Sequence, residues 1–320
     1  MTEADTLIDK LDALIPQKTI CVLGAAVMDL VMTVPTLPYR GADIEADSRK
    51  MHIGGCGLNI ASTLHRLDIP SLNAFLIGKG MGKNQIGNHL QARGIDVHLP
   101  QIDGDNSWCL ALVEPDGERS FVTATGVENN WTRDILDQLE VPADSLIFLS
   151  GYQLVPSADE AIVSWLESMD HPIEILVDFG PRIEDLDAGI IDRLLALNTI
   201  VTVNRDEARM MGIDDPVETA AAEWSIRHDC PLIVRRDKEG AFYYQSEQDK
   251  GWVAPYTAKV KDTIGAGDAH AGGILAGLAA NWSLYDAIRL GNAIASYVVE
   301  RSGGDCSPNL EELQGHLSRS

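Results

Sequence analysis

Short, uniformly apolar runs alternate along this chain with stretches whose apolar residues recur every three or four positions. "TICVLG" (19–24), "LNAFLIG" (72–78), "SLIFLS" (145–150), "EILVDFG" (174–180) and "IVTVN" (200–204) are too short for helices and read as strands buried on both faces. "GLNIASTLHRL" (57–67), "NQIGNHLQARG" (84–94), "ADEAIVSWLESM" (158–169) and "DAGIIDRLLAL" (187–197) carry the helical period. The last third reads as helices over 266–282, 284–301 and 309–317. Strand and helix in alternation predict an α/β fold, a mostly parallel central sheet covered by helices on both faces.

Two segments break this rhythm. "VMTVP" with "ADIEADSRKMHIG" (42–54), and "SWCLALVEPDGERSFVTATG" (107–126) folded at its turn-prone centre, alternate like strands with no helix between them. They predict either hairpins at a sheet edge or a small β lid over a site. The lid reading divides the chain into an α/β domain (1–29, 54–104 and 127–320) and a discontinuous lid (30–53 and 105–126). Exposed strand edges in such a lid also invite pairing with a second copy, a homodimer.

Charge narrows the range of partners. The 320 residues carry a formal net charge of −23, which repels nucleic acid and anionic membranes. An anionic ligand must therefore be met locally, by amides, helix ends or a metal. Five scattered cysteines show no zinc spacing and read as reduced thiols. Residues 1–18 are acidic and amphipathic without the basic start of a signal peptide, and read as a docking helix or a frayed tail. With no run long enough to cross a bilayer, the expectation is a soluble, cytoplasmic protein.

The densest chemistry lies in "KDTIGAGDAHAGG" (261–273). Usual dinucleotide, P-loop and nucleophile-elbow spacings are all absent. Glycines ahead of an apolar helix let the amides of Gly265, Ala266 and Gly267 face one anion, aided by the helix dipole. Asp268, one residue on, is then placed to accept a proton from a hydroxyl attacking phosphorus. Asp268 also suits a plain helix-start acid, and Asp262 or Thr263 suits a cap. A second cluster, "HIGGCGLNIAS" (52–62), sets Gly54, Gly55 and Asn59 at a helix start where a polar ligand can approach the backbone. Asp29 follows the first strand and is able to grip neighbouring hydroxyls.

With both clusters in order, the chain resembles the PfkB family, the ribokinase-like carbohydrate kinases, from about Thr19 to the C-terminal helix. "DTIGAGDAHAGGIL" is similar to the family's second signature and "GGCGLNIA" to its first. The resemblance implies a three-layer αβα domain with a small β-sheet lid, and transfer of the γ-phosphate of ATP to a primary hydroxyl. It implies Asp268 as general base, the 265–267 amides as anion hole, and Asp29, Gly54, Gly55 and Asn59 as sugar-binding residues. "NRDE" is similar to the family's NxxE motif and implies Asn204 and Glu207 acting on Mg²⁺ through water. The Asp237–Gly240 loop and Asn292 fall at nucleotide-binding positions. Asp262, Ile264, Gly303 and Ser307 fall where many members hold a monovalent cation such as K⁺. Departures are His270 in place of an aromatic, Asp237 in place of a glycine, and Asn84 in place of an aspartate. No basic residue stands in "GGCGLN", which implies an uncharged acceptor, a free sugar or alternatively a nucleoside. A non-catalytic regulator on the same fold would predict a damaged base or anion hole, and both are intact here.

Overall fold

In the computed structural model, which describes residues 3–116 and 118–319, twelve strands form two sheets. In chain order they are β1 (Ile20–Gly24), β2 (Val27–Thr33), β3 (Ser48–Gly54), β4 (Ser71–Phe75), β5 (Trp108–Val113) and β6 (Arg119–Ala124). β7 (Ser145–Ser150), β8 (Ile173–Asp178), β9 (Thr199–Asn204), β10 (Leu232–Arg235), β11 (Ala241–Ser246) and β12 (Asp249–Val253) follow. The large sheet has the order β12-β11-β10-β9-β8-β7-β1-β4. It is parallel from β4 to β10, and β11 and β12 are antiparallel.

Period-2 alternation along the buried strands sorts the core into two layers. Ile20 and Val22 of β1, with Leu146 and Phe148 of β7, face one cluster built on the helices Cys56–Arg66, Ala266–Ala279 and Leu284–Val298. Cys21, Leu23, Ile147 and Leu149 face the other, against Asp159–Glu167, Ala188–Leu195 and Val217–His228. This is the three-layer αβα arrangement. The N-terminal segment is a docked helix, Glu3–Leu11, which buries Leu7 and Leu11 and pairs Lys10 with Asp286. Among the described residues no helix is long and apolar enough to cross a membrane.

The four remaining strands are not an edge of the large sheet. They form a separate sheet in the order β3-β2-β5-β6, in which the central pair β2 and β5 runs parallel. Its root is held by buried polar groups. Asn106 accepts from Gly78 N at 2.7 Å and donates to the Leu76 carbonyl at 2.8 Å. The Glu128 carboxylate accepts from Ser107 N at 2.9 Å and from the Ser107 hydroxyl. Removing one partner of such a network leaves a buried polar group unpaired, which is costly, so the network fixes the small sheet's attachment point.

Candidate active site

Asp178, Asn204 and Arg235 are the last residues of β8, β9 and β10, so three polar side chains stand side by side on the carboxyl rim of the sheet. Ligands of open α/β sheets bind at this rim. Opposite them begins the helix Ala266–Ala279. Its N-cap is Gly265 with φ 75°, and no side chain caps it. Asp262 and Thr263 therefore do not supply the expected cap; Asp262 instead accepts from Ile264 N at 3.1 Å and Gly303 N at 2.9 Å. A Cβ on Gly265 would lie 2.4 Å from Gly304 Cα, so the close approach of two backbones demands glycine here.

The helix Cys56–Arg66 supplies the other wall. Asn59 Nδ2 donates to Asp268 Oδ2 at 2.7 Å, while the buried Asn59 Oδ1 has no partner among the described residues. Cys56, three residues earlier and so on the same face, turns its thiol to Asp268 as well. Burial lifts the Asp268 carboxyl above the usual carboxylate range, Asn59 and Cys56 pull it back as donors, and Asp178 adds repulsion. A partly buried carboxyl with raised proton affinity is suited to receive a proton.

Asp29 lies on β2, directly across from His52 on β3, and burial raises its pKa against the attraction of His52. Gly55, at φ 113°, would place a Cβ 2.5 Å from the Ala25 carbonyl oxygen. Asp29, Gly54, Gly55, Asn59, Gly265 and Asp268 all line one cleft of about 1660 Å³ between the two sheets. Asp262, Ile264 and Gly303 line it too. The Ser307 hydroxyl is buried and 2.6 Å from that of Thr63.

Asn204 and Glu207 form a capping box. Asn204 Oδ1 accepts from Glu207 N at 2.9 Å, and Glu207 Oε2 accepts from Asn204 N at 2.7 Å. Asp237 keeps a glycine-like backbone, φ 53°, which an aspartate tolerates. Gly240, at φ 91°, turns the chain into β11, and a Cβ there would meet the Val253 carbonyl oxygen at 2.1 Å. Asn292 donates to the carbonyls of Val253 and Ala254 and accepts from His270 Nε2 at 3.1 Å. Burial pushes the His270 pKa down to about 3, so the ring is a neutral strut for Asn292.

Sequence reasoning missed Arg235 and Asp178. Arg235 Nη1 donates to Asp178 Oδ2 at 2.7 Å and Nη2 to Glu207 Oε2 at 3.3 Å. The guanidinium reaches Gly267 of the 265–267 loop, where a Cβ would be 3.8 Å from its Cζ. The available signal was a polar residue closing each apolar strand, as in "EILVD", "IVTVN" and "LIVR".

Comparison with known proteins identifies the family and the fold. The model of the pfkB family of carbohydrate kinases matches residues 17–310. The uncharacterized sugar kinase YegV of Escherichia coli (strain K12) is 44% identical over 312 residues, 95% of this chain and 97% of that protein. The ribokinase structure from Thermotoga maritima superposes with a TM-score of 0.79 at 19% identity, over 94% of this chain and 99% of that one. A Burkholderia thailandensis nucleoside kinase in complex with inosine superposes at 0.72 and 19%, over 94% and 96%. A family match that spans both glycine clusters and the strands between them leaves one conclusion: the chain belongs to the PfkB family and is an ATP-dependent carbohydrate kinase.

Proposed function

We propose that this kinase phosphorylates a primary hydroxyl of an uncharged sugar, with Asp268 as general base and the amides of Gly265, Ala266 and Gly267 as anion hole. The observation that carries this reading is the Asn59–Asp268 hydrogen bond beside the uncapped helix start. A hydroxyl held by Asp29 and by the free oxygen of Asn59 lies next to Asp268 and next to the amides. As its oxygen bonds to the γ-phosphorus, its proton passes to Asp268, and the bond to the bridging oxygen of ADP breaks. The small sheet acts as the lid that excludes water.

An uncharged acceptor is supported by the cleft's cations. Of the three lysine and arginine residues on the cleft wall, Arg93 is paired with Asp305 at 2.7 Å and Arg182 with Asp185 at 3.1 Å, and Lys50 alone has no ion pair among the described residues. A nucleoside is the second reading, favoured by Trp108, Phe121 and Tyr152 in the cleft wall and by a volume larger than one sugar requires.

Mg²⁺ fits the oxygen donors at the rim. Glu207 and Asn204 would hold it through water, with Asp178 beside them, and the ion would neutralise phosphate charge. Asp262 draws the 262–264 turn against Gly303, which supports K⁺ held there largely by backbone oxygens. Five unpaired cysteines fit a cytoplasmic location. The exposed Met51 and Val122 on the small sheet support a homodimer through that sheet; solution scattering at micromolar protein that returns a monomer-sized particle would count against it.

The test is coupled ADP release with Mg²⁺ against a panel of free sugars and nucleosides, for wild type and Asp268→Asn. Stimulation by one class, abolished in the variant, supports the reading and names the class. No stimulation by any member, with ATP still bound, sinks it.

A further inference from the structure

A chain with net charge −23 that receives a triphosphate needs a positive charge at the reacting phosphorus, and partial charges on amides are a modest supply. Arg235 sets a full positive charge beside the 265–267 loop. Its guanidinium lies among Asp178, Glu207 and Thr202, with Thr202 Oγ1 3.2 Å from Nη1. A Cβ built on Gly267 would be 3.8 Å from Cζ, 3.8 Å from Nη2 and 3.9 Å from Nη1. Near-equal distances to the carbon and both terminal nitrogens mean that the flat face of the guanidinium, not its fork, lies against Gly267. Gly267 is the last anion-loop residue before Asp268; lacking a side chain it lets the guanidinium lie close, and since Glu207 takes only one of the two Nη2 N–H groups, an in-plane donor is left for an anion.

The surroundings hold the cation in place. Burial works against its charge, and Asp178 foremost, then Glu207 and Asp268, outweigh that cost. One arginine therefore faces three carboxylates, an excess of negative charge that a bound divalent cation would offset. An arginine remains protonated throughout a reaction, so it serves as a fixed donor and takes no part in the proton transfer.

We propose that Arg235 is a further catalytic residue: its guanidinium, buttressed by Asp178, donates to the phosphoryl group in transfer from the side opposite the Asn59–Asp268 pair. This rests on the assignment of the 265–267 amides as the phosphoryl site. The transfer itself is unchanged: oxygen–phosphorus bond formation to the acceptor, cleavage from ADP, and the proton to Asp268. Arg235 balances the negative charge on the phosphoryl oxygens, much as an arginine does in other phosphoryl transfers.

Calorimetric binding of Mg²⁺-ADP and of Mg²⁺ with the β,γ-imido analogue of ATP tests it without any acceptor. Arg235→Met should weaken the analogue at least tenfold more than ADP, Arg235→Lys should keep part of that difference, and added guanidinium ion should restore some of it to Arg235→Ala. Removing the arginine leaves Asp178 and Glu207 facing each other, so Arg235→Met is also made with Asp178→Asn, which relieves the repulsion if the single variant does not fold. A native melting transition with an unchanged ratio of the two affinities, or an equal loss for both nucleotides, would overturn the proposal and leave Arg235 a structural counter-ion. Wild-type protein that binds neither nucleotide would instead overturn the kinase site on which the proposal rests.

Discussion

Asn59 donates a 2.7 Å hydrogen bond to Asp268 across 209 residues of chain, and this one contact joins the two glycine clusters into a site. It gives Asp268 a fixed orientation while leaving Asn59 Oδ1 buried and unmatched among the described residues. An unmatched buried oxygen is a cost that, on the proposed function, a hydroxyl of the acceptor would remove.

Asp268→Asn should lower turnover by about 10²–10⁴-fold, the usual contribution of a general base. It should also raise the melting temperature. Burial raises the folded-state pKa of Asp268, so its contribution to stability is present at low pH and is lost as pH rises through that raised value. At neutral pH the ionised form is therefore a cost, which the amide removes. Scanning calorimetry checks this; a variant that melts well below wild type would contradict it.

The acid side of the pH–rate profile should fall away through a pKa above that of an ordinary carboxylate, because Asp268 must be ionised to act. Asn59→Ala removes a donor that favours the ionised form. Its acid limb should therefore move to higher pH, together with a weaker apparent affinity for the acceptor. A limb that stays in place would mean that another group sets it.

His270 is neutral through the physiological range and acts through Asn292. His270→Leu should therefore leave the pH–rate profile unchanged and raise the KM for ATP several-fold, with kcat little altered. Steady-state kinetics at several pH values separates this from a proton-transfer role, which would reshape the profile.

Gly265→Ala should be among the most damaging small substitutions in the chain. The methyl group would stand 2.4 Å from Gly304 Cα at a left-handed φ of 75°. Strain of this kind costs about 1–3 kcal/mol before any clash is counted. Loss of stability and of nucleotide binding together, read by thermal melting with and without Mg²⁺-ATP, is the expected result. Gly87→Ala, where nothing lies within 4 Å of the added carbon, is the control that should behave as wild type.

Much of this molecule was legible one segment at a time. Buried strands, amphipathic helices and the turn glycines are local consequences of side-chain period and of backbone sterics, which a linear sequence carries in full. The αβα layering follows from them, because strands apolar on both faces need helices on both faces. Asp268, Asn59, Gly55 and Gly265 stood out for the same reason: each belongs to a short glycine-rich stretch at a helix start. The docking of Glu3–Leu11 was only half visible, since its apolar face could be read but not the surface that covers it.

What tertiary structure alone decided is which distant residues meet. Asp178 and Arg235 each end an ordinary-looking strand, and nothing within either segment says that β8, β9 and β10 lie side by side or that the rim they form faces Gly267. Likewise the four strands of the small sheet announced themselves, but the parallel pairing of β2 with β5, which merges two hairpins into one surface, depends on contacts between segments about 80 positions apart. Local patterns specify elements because their physics is local; a site assembled from strand ends depends on sheet order, and sheet order is settled only when the whole core packs.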